Sequence, residues 1–458
     1  MINISRIFIL LLFFAGWQTS TARAQSLTIS QAVQQALDKY PAVRASLEQV
    51  SAAAAAINLA RTSYLPRADF LGQVNRATRN NVFGLLFPQP VVPPISGPVL
   101  GTSASSVWGS ALGALVSWEP FDFGQRRAGV QLAQSVRQSR EAGADLTKFQ
   151  VATAAADAFL TILAAQQTTV AAQASVDRAK ALAEVTGALT NAELRPGADQ
   201  SRARAELALA ETQLIRAQEA TGVAKASLAQ LLGAPPSEIV LENGQLLQAP
   251  PAEPNPTNDL THHPLAIEQN AIVGEVKARE RILDRSYFPT FHLQGATFGR
   301  GTGARTDGSV TGGANGLGPN AGNWALGLTV YFPAFDLPAL HARQQIELHQ
   351  ERSETARYEK LLQDLNGELE KDRAQLEGAR RVAQQTPVQL DAAHAAEQQA
   401  TARYRAGLGT IVEVAEAQRL LTQAEIDDSL AKLSIWRALL AVAVSQGDLQ
   451  PFLSQTGK

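Results

Sequence analysis

Two stretches of this chain follow one plan. From Val107 to Trp118 small and apolar residues alternate, with Trp108, Ser110, Leu112, Ala114, Val116 and Trp118 on one side, the period-two pattern of a strand. Pro120 is expected to end that strand. Phe121-Asp122-Phe123-Gly124 reads as a turn, and Asp122 as the cap of an alanine-rich helix that continues for dozens of residues. The plan returns 214 positions later: Trp324, Leu326, Leu328, Val330 and Phe332 share a face, Pro333 is expected to end the strand, and Asp336 precedes a second long helix. Leu112 falls on Leu326, Val116 on Val330 and Phe121 on Phe335, so the inside/outside phase is kept, and an internal duplication is expected.

The flanking segments repeat as well. Pro41 and Pro66 correspond to Pro264 and Pro289 at a shift of 223, and each second Pro hands over to a strand, with Phe70, Gly72 and Val74 sharing a face in the first half and Leu293, Gly295 and Thr297 in the second. The loops Asn80 to Ser106 and Arg300 to Ala321 separate the strands, the second being nine residues shorter, since the shift drops from 223 to 214. Thr28-Ile29-Ser30-Gln31 reads as a capping box that opens the first helix. From Pro338 to Arg405 there are 68 helical positions, with Leu362, Leu365, Leu369 and Leu376 as a coiled-coil seam and Pro387 as an expected kink. Each long run ends at a glycine-containing turn, Arg195-Pro196-Gly197-Ala198 or Arg405-Ala406-Gly407-Leu408, followed by a return helix. The expected organisation is a signal peptide over 1–24, a first repeat over 25–248, a Pro-rich crossover over 249–258, a second repeat over 259–446 and a tail over 447–458.

Several classes of function are disfavoured. Arg6, the apolar run Ile7 to Ala15 and the small residues Ala22-Arg23-Ala24 have the form of a secretory signal, and no Cys follows it to take a lipid. With no cysteine anywhere, disulfides, thiolate metal sites and a Cys nucleophile are excluded. A net charge of −2 with both signs interspersed gives nucleic acid no basic surface. His262-His263 stands before a helix-starting Pro, and His341 and His349 lack acidic partners at metal-site spacing, so no metal or other cofactor is expected. No nucleophile elbow, phosphate loop or zinc motif occurs, and an enzyme is not expected.

Four short amphipathic strands cannot close a barrel, and lipid tolerates no open sheet edge, so other copies must complete them. Three copies of a four-stranded chain supply twelve strands. Trp108 and Trp118, ten residues apart, suit the two aromatic girdles of a membrane band, with Trp324 and Phe332 in the second half. The expected fold is therefore an α+β membrane protein, mainly α: long antiparallel coiled-coil helices forming an annulus continuous with a β-barrel shared among copies, 12-stranded if there are three. A wholly periplasmic coiled-coil adaptor or scaffold is the alternative from another class. It has no use for lipid-facing bands, and an ordinary porin has no use for heptad helices.

The element order, the duplication, the opening Leu27-Thr28-Ile29-Ser30-Gln31-Ala32-Val33-Gln34-Gln35-Ala36-Leu37, the Phe-Asp turns and Tyr404-Arg-Ala-Gly407-Leu-Gly-Thr410-Ile-Val-Glu413-Val resemble the TolC family of outer-membrane efflux proteins. The resemblance implies a homotrimer in the outer membrane of a Gram-negative-type bacterium, with a trimeric 12-stranded β-barrel continued by a periplasmic α-barrel. Its periplasmic tip would dock onto an adaptor protein and an inner-membrane pump, proton-driven or ATP-driven, to form an exit duct for efflux or type I secretion. It also implies an adaptor-docking tip at Pro196, Gly197, Ala198, Ala406, Gly407 and Leu408, and a pore constriction at Tyr404, Glu413, Glu416 and Asp199. Gly409 stands where a family member carries a latching Arg, and the first turn is expected to be shorter than the second. Glu413 and Glu416 have two readings, a lumenal ring of carboxylates or a solvated face at a helix start where the dipole favours acids.

Overall fold

The computed structural model describes residues 26–78, 106–242, 244–248, 250, 259–303, 305, 309 and 311–456. The expected signal peptide, nearly all of the crossover and most of the first inter-strand loop lie outside the described residues. The elements in chain order are α1 (Ile29–Lys39), α2 (Pro41–Thr62), β1 (Arg67–Thr78), β2 (Ser106–Phe121), α3 (Gln125–Asn191), α4 (Gly197–Leu232), α5 (Pro264–Arg285), β3 (Thr290–Thr302), β4 (Ala321–Tyr331), α6 (Leu337–Arg405), α7 (Ile411–Gln446) and α8 (Gln450–Thr456). They fall into two compact units, one holding residues 45–145 and 264–361, the other residues 1–44, 146–263 and 362–458.

The first unit contains one antiparallel sheet in the order β1-β2-β3-β4. Its pairings carry the duplication: Gly72 faces Leu112 in the first hairpin and Gly295 faces Leu326 in the second. Alternation puts Phe70, Val74, Leu112, Val116, Trp118, Trp324, Leu326, Leu328 and Val330 on one face, all exposed in the single chain. Where β2 meets β3 the backbones approach closely, since a Cβ on Gly113 would come within 2.5 Å of Phe298 Cβ. Trp118 Nε1 donates to the Tyr64 carbonyl at 3.0 Å, and Trp108 is half-buried beneath the Arg76 guanidinium, 5.4 Å from its ring.

Pro120 does not end its strand. β2 continues through it to Phe121, with a register shift between Trp118 and Phe121, because a residue without an N–H is tolerated where ladder pairing is interrupted. Pro333 lies beyond the last residue of β4, and Phe332 is likewise outside the strand, exposed. Asp122 sits three residues before α3, and its carboxylate accepts from the amides of Gly124 at 3.1 Å and Arg126 at 2.7 Å across left-handed Phe123 and Gly124. Asp336 immediately precedes α6, its carbonyl accepting from the Leu340 amide at 2.8 Å.

The second unit is helical. The Thr28–Gln31 capping box opens α1, with Gln31 donating from its amide to Thr28 Oγ1 and accepting from the Thr28 amide. On α4 the buried residues Ala203, Ala210, Ala217 and Ala224 recur every seven positions, and on α7 Val414, Leu421, Asp428, Ile435 and Val442 do the same beside Ala417, Ala424, Ala431 and Ala438. These are narrow coiled-coil seams, with alanine permitting close helix approach. α6 continues as a helix through Pro387. The segment expected to be a tail contains α8, whose Phe452 meets buried Trp436 edge-on at 6.2 Å. His263 is buried, donating from Nε2 to the Val444 carbonyl at 3.1 Å beside Phe149. Burial holds its pKa below the ordinary imidazole value, the Val444 carbonyl opposing.

Candidate gate and docking tip

The two hairpin turns of the helical unit are the same motif twice. After α3, the amide of Leu194 donates to Leu189 at 2.9 Å and that of Glu193 to Thr190 at 3.0 Å; after α6, Leu408 donates to Arg403 at 2.9 Å and Gly407 to Tyr404 at 3.1 Å. Both are the paired six-to-one and five-to-two bonds that close a helix through a left-handed residue. That residue is Gly407 (φ 78°) in the second turn and Glu193 (φ 60°) in the first, 214 positions apart.

The expectation of a shorter first turn is therefore corrected. Pro196 is the N-cap of α4 and Gly197 and Ala198 are its first two residues, so the first turn turns at Glu193-Leu194 rather than Pro196-Gly197-Ala198. Glycine was the marker read from sequence, and here a glutamate holds the left-handed position instead. Leu194 and Leu408 occupy equivalent places and are 69% and 74% exposed, with Ala406 and Gly407 beside the latter. A non-glycine residue in this conformation is strained by roughly 1 kcal/mol. Glu193→Gly is accordingly expected to tighten the turn, with slower hydrogen exchange at the amides of residues 193 and 194; faster exchange would contradict the assignment.

Above the turns Tyr404 is 1% exposed, enclosed by Leu182, Ala203, Ile411 and Val414. Its hydroxyl donates to Asp199 Oδ2 at 3.3 Å. Arg195 lies with its guanidinium 4.6 Å from the Tyr404 ring and donates to the Tyr404 carbonyl at 2.8 Å. Sequence reasoning missed this residue. The family resemblance points to an arginine after the second turn, where Gly409 stands, and the same position of the first turn, 214 earlier, is Arg195. A Cβ on Gly409 would lie 3.2 Å from Arg403 Cβ and from the Tyr404 amide nitrogen, so that place suits the smallest residue.

Tyr404 and Asp199 are thus in contact, and Glu413 and Glu416 have other partners. Glu413 is the third residue of α7, accepting from the Thr410 hydroxyl at 3.2 Å while its own amide donates to that hydroxyl at 3.4 Å. Arg403 Nε lies 3.9 Å from Glu413. Glu416 is exposed with Arg419 at 3.5 Å, and Arg419 also binds Glu206 on α4 at 2.7 Å. Among the described residues no group of three His, Cys, Asp or Glu is arranged to hold a metal ion.

The sequence pattern of outer membrane efflux proteins matches residues 32–234 and 276–448, one segment in each half of the duplication. The chain belongs to the outer membrane efflux protein family. Its members are efflux proteins of the outer membrane. Solved structures of an outer membrane protein and of two outer membrane channels share the fold. VceC from Vibrio cholerae is 17% identical over 92% of this chain and 96% of its own, with a TM-score of 0.72. The CmeC outer membrane channel of Campylobacter jejuni is 15% identical over 92% and 85%, also at 0.72. MtrE of Neisseria gonorrhoeae, solved in an open state, is 19% identical over 92% and 89%, at 0.70. A comparison with curated protein sequences gives no significant match.

Proposed function

We propose that three copies of this chain close a 12-stranded barrel in the outer membrane and form a passive exit duct, docked through its helical tips onto a periplasmic adaptor and an inner-membrane pump. One observation carries the reading: a four-stranded sheet, whose outer strands have no second partner strand among the described residues, exposes a continuous apolar face. In water such a face and such edges are a liability; in a bilayer the face meets lipid and neighbouring copies complete the edges. Trp108, Trp118, Trp324 and Phe332 then serve as interfacial aromatics. The leader over residues 1–24 is removed on export. Purified protein that is trimeric only in detergent, shifts gel mobility on heating and conducts ions in planar bilayers is the expected result. A monodisperse monomer in buffer without detergent would overturn it.

In this reading Leu194, Ala406, Gly407 and Leu408 present the docking tip, with Pro196, Gly197 and Ala198 behind it at the start of α4. Tyr404, held by Asp199 and Arg195, fixes one hairpin of the tip to the other. Glu413 and Glu416 supply lumenal carboxylates, part-compensated by Arg403 and Arg419. Glu413→Gln combined with Glu416→Gln is expected to lower the cation preference of single channels by about twofold, because wall charge sets selectivity in a water-filled pore. Unchanged selectivity would place both residues on a solvated outer face.

A further inference from the structure

At the base of the sheet the apolar face runs into a cluster of rings. Phe291 pairs with Val330 on one side and, past the register shift, with Phe121 on the other, so both phenylalanines continue the face that carries Trp118 and Leu328. Phe123 packs edge-on against Phe121 at 4.6 Å and stacks on Phe288 at 5.3 Å. Beyond Phe123 a cavity of about 280 Å³ opens between the start of α3 and the end of α5. Arg127 and Gln131 line it from α3, and Arg281, Asp284 and Arg285 line it from α5.

We propose that this cavity holds the phosphate of an anionic phospholipid of the periplasmic leaflet, one per chain, with the acyl chains lying along the phenylalanine cluster. The inference rests on the outer-membrane barrel proposed above and adds a lipid that the barrel by itself does not require.

Three observations support the site. The first is charge. Three arginines converge where Asp284 is the one acid in the lining, and Asp284 already accepts from Gln344 Nε2 at 2.7 Å. All three arginines are exposed, and among the described residues none of their guanidinium groups has an ion-pair or hydrogen-bond partner. Arg281 and Arg285, four apart on one helix, repel each other, and Arg127 brings a third like charge to the same place. A bound anion removes that repulsion, and the guanidinium fork suits phosphate oxygens.

The second observation is position. Rings at the headgroup level with cations reaching the phosphates beside them is the order that a membrane interface favours. The volume falls below the roughly 300–1,000 Å³ of pockets that enclose a drug-sized ligand, so the cavity takes a headgroup and leaves the acyl chains outside. The third observation comes from the duplication. At shifts of 214 and 223 the images of Arg127, Arg281 and Arg285 are His341, Asn58 and Thr62. The other half builds the same strand-to-helix junction without the arginines, so the junction does not need them to form.

Native mass spectrometry of the full-length trimer, released from detergent containing equal amounts of phosphatidylglycerol and phosphatidylcholine, reads the site. Phosphatidylglycerol is expected to be retained in preference, saturating at one per chain. R127Q/R281Q/R285Q is expected to weaken that retention about a hundredfold, the product of about fivefold for each arginine, with phosphatidylcholine retention unchanged. Should the triple variant not assemble, R127Q alone is expected to show the fivefold step. R202Q/R204Q/R216Q removes three exposed arginines from α4 and is expected to retain the lipid as the unaltered chain does. Equal losses in the two triple variants, or no preference for phosphatidylglycerol in the unaltered trimer, would overturn the site. Displacement of the lipid by millimolar inorganic phosphate would overturn it in favour of a free-anion site. Those outcomes are read on an intact trimer and leave the exit duct standing; a chain that is monomeric by light scattering in detergent overturns the barrel and the lipid site with it.

Discussion

Replacing Asp122 by Ala is expected to lower the stability of the strand-to-helix junction by about 3 kcal/mol, the lower end of what breaking a buried ion pair costs. The carboxylate accepts from the Gly124 amide and from both the amide and Nε of Arg126, the last at 2.8 Å, and both side chains are about nine-tenths buried. Arg126 is held further by the Ser63 carbonyl at 3.2 Å and by the Tyr64 ring, 4.9 Å away. Removing Asp122 therefore leaves a guanidinium in place with its counter-charge gone, and frees a turn that depends on left-handed Phe123. Burial alone would raise the Asp122 carboxyl, but the bonds from Arg126 and Gly124 outweigh it and hold its pKa below the ordinary value. For a depressed carboxyl the stabilisation is complete above roughly pH 4, and is lost as pH falls through the folded value. Asp122→Ala should accordingly flatten the acid limb of thermal stability, read as the temperature at which native gel mobility disappears. Asp336→Ala is the internal comparison. Among the described residues its carboxylate meets only the Tyr331 hydroxyl, at 3.5 Å, and Leu340 stands where Arg126 would be, so a loss under about 1 kcal/mol is expected. Equal losses at the two sites would refute the ion-pair account.

That contrast shows what a duplicated sequence does and does not disclose. The shifts of 223 and 214 are visible in spelling because each half must deliver a strand's apolar face in the same phase, and a one-residue error would turn that face around. The sheet order and the hairpin registers follow from them. Partners of single side chains do not. Arg126 and Leu340 occupy matching positions with opposite roles, and no periodicity distinguishes them.

Two misreadings have a common cause, the use of Gly and Pro as punctuation. Pro120 lies within β2 because a bulge beside it excuses the missing donor. Gly197 lies within α4, and the chain turns at Glu193, where bonds to Leu189 and Thr190 impose the left-handed conformation. Arg195 was hidden for a different reason. Its contact with Tyr404 spans about two hundred positions and depends on two hairpins lying side by side, which only packing reveals. The two turns are equal in length, so the shift of 214 by itself pairs Arg195 with the Gly409 position.

Leu326→Arg tests the membrane directly. Leu326 is the middle residue of β4, 70% exposed, between Trp324 and Leu328 on the apolar face. If that face meets water, as it would in a soluble coiled-coil scaffold, the change replaces one exposed side chain by another and stability moves by no more than about 0.5 kcal/mol. If the face meets hydrocarbon, an arginine near the middle of the band costs about 2–4 kcal/mol in each copy. In the proposed barrel the cost recurs three times around a single ring, and assembly rather than chain folding is the step expected to fail. The prediction is loss of the heat-modifiable trimer from outer-membrane fractions with the helical unit still folded by circular dichroism. Ala325→Arg supplies the counterpart, one residue away on the opposite face, where in the proposed barrel a long cation would point into the pore. Trimer yield is expected to persist there while single-channel cation preference falls. Tolerance of Leu326→Arg together with assembly failure of Ala325→Arg would invert the sheet, placing lipid on the wrong face and removing the basis for the duct.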